Sequence, residues 1–370
     1  MHIDEARGLF PIVKRMLYFD AASLSPYCMP VIEAMERFAS ERRDFASLYY
    51  DRWYRDLEIC RRFAAALLNA LPEEVAFTKN TSEGVNLTAQ LVDWKRGDEV
   101  LVFACDFPTN VYPFLNLKSK GVSARYVDCK KGSVSLDVIE SAIGDKTKLL
   151  SISHVFYNSG YRLDLEGLGK ICRDNDVLLH VDAAQSFGAF QIDVKRGGVD
   201  FLSAPGYKWL LSPLGTGVFY VKKKHIDKVP VLGWLSVKNP EDLNARGYEL
   251  LDSAKRFEAG NQNVGGFIGM HAALSLIDSI GLGEIEKRVL GLSLALGEGL
   301  EVAGLHPLSD MDVKHRSGIV CIEKDSVSKE FLRKNNLVAT VRKNIRLSPH
   351  IYNTEEEIEK VVKILSNGEG

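Results

Sequence analysis

Apolar runs of strand length recur between residues 75 and 221, separated by stretches whose apolar positions fall at helical spacing. Runs at 75–78, 99–104, 124–129, 148–154, 177–181, 199–202 and 217–221 predict strands. Helices are predicted over 135–143 and 165–174. Strands alternating with helices in this way predict a parallel sheet with right-handed crossovers. The run at 177–181 ends on Asp182, and the run at 199–202 is followed by Pro205-Gly206 and then Tyr207-Lys208-Trp209.

The flanking segments follow other patterns. Residues 1–17 predict a short helix and a loop, and 18–23 a small strand. Residues 30–69 show helical spacing rich in arginine, as in RDFASLYYDRWYRDLEICRRF, which suits a solvated helix or a subunit interface. Turn signals make 230–253 a loop over the mouth of the crevice, and a long helix is predicted over 264–280. From Glu284 onward the pattern predicts two helices, a strand at 318–323 and a final helix from Thr354. The expected division is an N-terminal segment (1–17), a large domain (18–253) and a smaller C-terminal α+β domain (254–370).

Composition changes this picture little. The 370 residues are 46% apolar with a formal net charge of −2, enough to bury a large core. There is no electrostatic reason to expect nucleic acid or an anionic membrane as partner. No run reaches the roughly 18 apolar residues that a membrane helix needs. The polar start MHIDEARGLF is not a signal peptide, so a cytoplasmic location is expected. The six cysteines form no CxxC pair, and neither a zinc site nor a disulfide framework is expected.

The candidate chemistry lies at the strand ends. A carboxylate at the tip of one strand and a lysine past the tip of the next point into one crevice, because α/β sheets bind ligands beyond the carboxyl ends of their strands. Pyridoxal phosphate needs such a pair. A lysine amine holds it as a Schiff base, and a carboxylate keeps its ring nitrogen protonated. Lys208 and Asp182 supply these groups, with Gln185 and Tyr207 nearby. A second constellation is Thr78-Lys79-Asn80-Thr81-Ser82-Glu83, where a strand turns into a helix through small hydroxyl residues. A helix N-terminus with hydroxyls is a ready phosphate cradle, although a simple hydroxyl cap is the plainer reading.

Together these motifs resemble the core of the fold-type I pyridoxal-phosphate enzymes, in the class V aminotransferase branch that includes cysteine desulfurases, selenocysteine lyases, kynureninase and isopenicillin N epimerase-like proteins. The resemblance runs from Tyr18 to the final helix. It implies a large domain with a mostly parallel seven-stranded sheet flanked by helices, and pyridoxal 5'-phosphate as cofactor. Thr81 and Ser82 stand where the family binds the cofactor phosphate. Phe107, in DFPTNVYPF, takes the place of the residue that stacks on the ring. Tyr157 replaces an asparagine usual in desulfurases, so Gln185 is assigned the phenolic oxygen and Tyr157 the substrate side. The stretch RFEAGNQN resembles a segment FEAGTPN that reaches the neighbouring subunit's cofactor. Asn261 would make that contact in a homodimer with composite active sites. Arg346, in RLSPHIYNTEEE, takes the place of the arginine that grips the substrate α-carboxylate.

The resemblance implies an enzyme acting on a small α-amino acid, as an aminotransferase or a C–S lyase. Alternatives are an epimerase, with Tyr157, His154 and His350 as proton donors, a cysteine desulfurase or selenocysteine lyase, and a non-catalytic sensor or scaffold. Desulfurases carry a nucleophilic cysteine on a loop before the carboxylate arginine, and residues 329–343 contain none. Cys321, inside the apolar run Ile319-Val320-Cys321-Ile322, reads as a buried strand residue.

Overall fold

Strands and helices close, in a computed structural model that describes residues 1–243, 246–323 and 327–367, around one seven-stranded sheet. From one edge its order is Val75–Thr78, Gly217–Val221, Phe201–Pro205, Leu178–Asp182, Thr147–Ser153, Glu99–Phe103 and Ser123–Val127. Gly217–Val221 runs antiparallel to both neighbours, and every other adjacent pair is parallel. The central strands are buried throughout or nearly so, which is why they read as continuous apolar runs rather than alternating ones. The direction of strand addition reverses between Glu99–Phe103 and Thr147–Ser153. A crevice opens at such a switch point, between the loops that follow the two strands.

Two N-terminal helices, Met29–Phe45 and Tyr50–Leu67, both pack on helix Val264–Ile280. That helix shares its core with the large sheet through Phe267, Met270, Leu274 and Ile277. The next helix, Leu282–Val302, is unbroken where two were expected from Glu284 onward. It spans both cores: Ile285 and Val289 pack with the large domain, Leu292, Leu296 and Leu300 with the small one.

The smaller domain is built on an antiparallel sheet of Thr340–Val341, Asn344–Leu347 and Val320–Glu323. Leu17–Tyr18 pairs in parallel with Leu337–Val338, and Phe19 joins the small-domain core. The residues that follow touch both cores, with Ser25 N–H donating to Tyr207 O and Ser23 Oγ accepting from Arg346.

Cys105 and Cys129 form a disulfide, with Cα atoms 5.7 Å apart, where no disulfide framework was expected. Phe103 and Val127 are register partners on adjacent parallel strands, and each cysteine lies two residues beyond its strand's partner. Spacing along the chain carries no trace of that proximity. Among the described residues no single helix is long and apolar enough to cross a membrane.

Candidate active site

Asp182 ends the strand Leu178–Asp182 and is buried, its Oδ1 accepting from the Ala184 backbone N–H at 2.7 Å. Its carboxyl is held well above the usual carboxylate range, first by burial and then by the negative charge of Asp106. Lys208 follows strand Phe201–Pro205 in a tight turn closed by Leu211 N–H to Lys208 O at 3.0 Å and Ser212 N–H to Gly206 O at 2.9 Å. No side chain fits at Gly206, where a Cβ would stand 2.2 Å from Thr216 Oγ1. The Lys208 amine lies 6.0 Å from the Tyr207 ring centroid. Burial pushes its pKa below the ordinary lysine value while the Asp182 carboxylate opposes that shift. An amine poised in this way is a competent nucleophile toward an aldehyde.

Beneath Asp182, two residues earlier and on the same strand face, His180 is bonded by Ser151 Oγ at 2.8 Å and Ser203 Oγ at 3.1 Å. Burial lowers the His180 pKa to about 3, so the ring is a neutral strut. Ser203 also sets the helix Thr81–Leu91 close to the sheet, since a Cβ at Gly84 would meet Ser203 Oγ at 2.5 Å. The cap of that helix is Asn80, whose side chain accepts from Glu83 N–H at 3.0 Å. Thr81 and Ser82 therefore occupy the first helical turn, at the positive end of the helix dipole. Ser82 Oγ reaches Thr109 Oγ1 at 2.8 Å and ties this turn to the loop that carries Phe107.

Phe107 is 42% exposed and is not a core residue. Its ring meets Tyr157 edge to face at 5.2 Å, so the loops after Glu99–Phe103 and Thr147–Ser153 face one another across the switch point. Gln185 is buried and held at both ends of its amide, donating to Ala22 O at 3.0 Å and accepting from Trp209 Nε1 at 2.9 Å. Asn261 is exposed, with its Oδ1 accepting from Tyr50 at 3.1 Å and Tyr54 at 3.3 Å. The segment before it is anchored by Glu258, which pairs with buried Arg61 at 2.5 Å and accepts from Phe77 N–H at 2.7 Å.

Arg346 is buried in the small sheet. It donates to Tyr157 O at 3.0 Å, Ser23 Oγ at 2.6 Å and Thr340 Oγ1 at 3.2 Å, and lies 3.6 Å from Asp20. Its Nε is buried with no partner among the described residues, a donor left for an incoming acceptor. A cavity of about 750 Å³ adjoins Arg346 and Tyr157, with Cys321 in its wall. His154 and His350 are buried, and burial lowers their pKa values to about 3 and about 4. Neither lines this cavity.

One group escaped the sequence reading. Asp106 is buried, accepting from Ser153 N–H at 2.8 Å, Ser153 Oγ at 2.6 Å and Phe107 N–H at 2.7 Å. Asn110 donates to Ser153 Oγ at 3.1 Å, and its buried Oδ1 has no partner among the described residues. Ser153 is the register partner of Asp182, so this network fixes the Phe107 loop against the strand end that carries Asp182. Neighbouring placement of the two strands, which depends on a crossover, creates it.

The donor set fits pyridoxal phosphate: an amine of lowered pKa, a buried carboxyl, a helix N-terminus with hydroxyls and an exposed aromatic face. The sequence matches the Aminotransferase class-V family over residues 17–361. A probable cysteine desulfurase of Methanothermobacter thermautotrophicus is 31% identical, with 97% of this chain and 96% of that protein covered. The apo cysteine desulfurase of Thermococcus onnurineus NA1 has a TM-score of 0.89 at 28% identity, covering 98% and 97% of the two chains. The cystine C–S lyase C-DES, in complex with cysteine persulfide, shares the fold with a TM-score of 0.90 at 23% identity, covering 97% and 99%.

Proposed function

The chain belongs to the class-V aminotransferase family of pyridoxal-phosphate enzymes, and we propose that it cleaves the C–S bond of a cysteine-type α-amino acid and releases the sulfur without a protein thiol. In this reading Lys208 would hold the cofactor covalently, with Asp182 for its ring nitrogen, Thr81 and Ser82 for its phosphate and Phe107 for its face. Gln185 and Tyr207 border the ring. When bound, pyridoxal phosphate supplies an electron sink for charge that develops at the substrate Cα. Arg346 takes the α-carboxylate, with Tyr157 beside it. The Lys208 amine would accept the Cα proton. The Cβ–S bond then breaks with its electron pair on sulfur. Water completes the balance, so that cysteine yields pyruvate, ammonia and sulfide.

The observation that carries this reading is the state of Cys321. A desulfurase that passes sulfur to its own thiol needs an accessible thiolate, whereas the Cys321 thiol is 1% exposed and burial pushes its pKa up to about 11. The relatives named as desulfurases and the C–S lyase fold support the C–S chemistry. A panel of amino acids, with and without an oxo-acid acceptor, tests the reaction class when amino transfer, pyruvate and optical rotation are followed separately. Pyruvate from cysteine or cystine is the expected outcome, and amino transfer alone would overturn it.

The same reading includes a homodimer in which Asn261 of each subunit contacts the other's cofactor. Exposed apolar side chains, among them Leu48, Tyr50 and Trp234, support it. Sedimentation of an active monomer at micromolar concentration would contradict it.

A further inference from the structure

The cavity of about 750 Å³ beside Arg346 is walled by both domains. The larger domain contributes a tight turn bridged between Lys130 and Ser133, with Lys131 at its tip. Ser159 Oγ donates to Gly132 O at 2.6 Å and ties this turn to the Tyr157 loop. The smaller domain contributes the turn between strands Thr340–Val341 and Asn344–Leu347, closed by Arg342 N–H to Asn344 O at 3.0 Å and carrying Arg342 and Lys343. These three cations are exposed, and among the described residues none is within ion-pair distance of a carboxylate. Among the described residues, Glu323 is the single acidic side chain in the wall. The Arg342 charge also reaches the reacting end of the site, where it is one of those that depress the Lys208 pKa.

A small neutral side chain leaves this arrangement unused. The α-carboxylate is taken by Arg346, already deeper in the wall and close to Asp20. Lys131, Arg342 and Lys343 then still hold positive charge that no described carboxylate pairs with. A concave site lined by one sign of charge concentrates ligands of the other sign. Its volume falls among those of pockets built for ligands larger than a three-carbon amino acid.

We propose that this cavity binds a second anionic group carried on the sulfur side of the substrate. The preferred substrates are then cysteine S-conjugates whose departing sulfur bears a carboxylate or a sulfonate, such as L-cystine or S-sulfo-L-cysteine. The identity of the substrate rests on the C–S lysis reading; the anion site rests on the cations alone.

The test compares the cofactor-loaded parent with the Arg342→Gln/Lys343→Gln double variant, matched for cofactor content and circular dichroism. Substrates are L-cystine, S-sulfo-L-cysteine and neutral S-methyl-L-cysteine. Loss of charge-assisted contacts lowers the kcat/KM preference for an anionic over the neutral substrate by about tenfold or more, through KM. Cystine against S-sulfocysteine separates a carboxylate from a sulfonate as the bound group. An unchanged preference, or an equal loss for all three, overturns the proposal. A binding arm separates this failure from failure of C–S lysis, using L-glutamate and L-norvaline, which have no C–S bond to break. Tighter binding of L-glutamate, read from the cofactor's visible absorbance and lost in the double variant, sustains the anion site even where no C–S bond is cleaved. Equal affinity for the two amino acids overturns it.

Discussion

Cys321 and Arg346 are register partners across the antiparallel strands Val320–Glu323 and Asn344–Leu347, so their side chains leave the same face of the small sheet. The arginine is turned toward Tyr157, Ser23 and Thr340, while the thiol donates to Asn158 O at 3.3 Å. The thiol thus sits beside Arg346 on the sheet, yet it is 1% exposed and burial raises its pKa to about 11.

Replacing the arginine tests the grip on substrate. Arg346→Gln removes the paired donors and leaves Asp20 without its cation, so kcat/KM for α-amino acids falls by about a hundredfold, mostly through KM. Steady-state kinetics on cysteine and on its decarboxylated amine check this. An equal effect on both would show that Arg346 does not bind a carboxylate.

Lys208→Ala removes the only amine assigned to the site. The purified variant then binds the cofactor without the covalent link, and turnover falls by about 10³-fold or more. Reduction with borohydride followed by peptide mapping reads the link directly. Covalent cofactor elsewhere in the variant would displace Lys208 from its role.

Asp182 and Asp106 give the apoprotein a pH signature. Burial, together with the Asp106 charge, raises the Asp182 carboxyl above its unfolded value, and burial raises that of Asp106 as well. The folded state then holds protons that the unfolded chain has already released. The associated stability is fully present below the ordinary carboxylate pKa and is lost as pH rises through the raised folded value. Asp106→Asn removes one negative charge and flattens that decline. Urea midpoints of parent and variant across this pH range check it, and a steeper decline in the variant would contradict the assignment.

The disulfide supplies a stability prediction. Cys129→Ser opens a loop with a sequence separation of 24, and the chain-entropy account places the cost at about 3.5 kcal/mol. The urea midpoint of the variant falls accordingly, and the parent in excess dithiol falls to meet it. An unmoved midpoint in both would show that the crosslink adds nothing to stability.

Much of this site was legible in the sequence because its parts are local. Asp182 ends an apolar run, Lys208 follows a Pro-Gly turn, and both landmarks follow from strands buried on two faces. The strand at 177–181 forms as Leu178–Asp182, one residue further along. In the sequence TKNTSEG four residues are able to cap a helix, and in the structure Asn80 takes the place, leaving Thr81 and Ser82 in the first turn. What stayed hidden depends on strand order. The Asp106–Ser153 bonds, the Cys105–Cys129 bridge and the Phe107–Tyr157 contact all join segments brought together only when Glu99–Phe103 lies between Thr147–Ser153 and Ser123–Val127. The turn cations Lys131, Arg342 and Lys343 read singly as solvated residues, and the cavity they share appears only when the two domains meet.

The central claim is that sulfur leaves the substrate without passing through a protein thiol. Its most direct measurement is the product ratio from L-cysteine in the parent enzyme and in Cys321→Ser, with alanine, pyruvate and sulfide quantified together in the absence of added thiol. The account predicts pyruvate and sulfide in equal amounts, alanine at background, and the same ratio in the variant. Alanine formed in step with sulfur bound to the protein, and abolished by Cys321→Ser in a variant that still holds its cofactor, would contradict it.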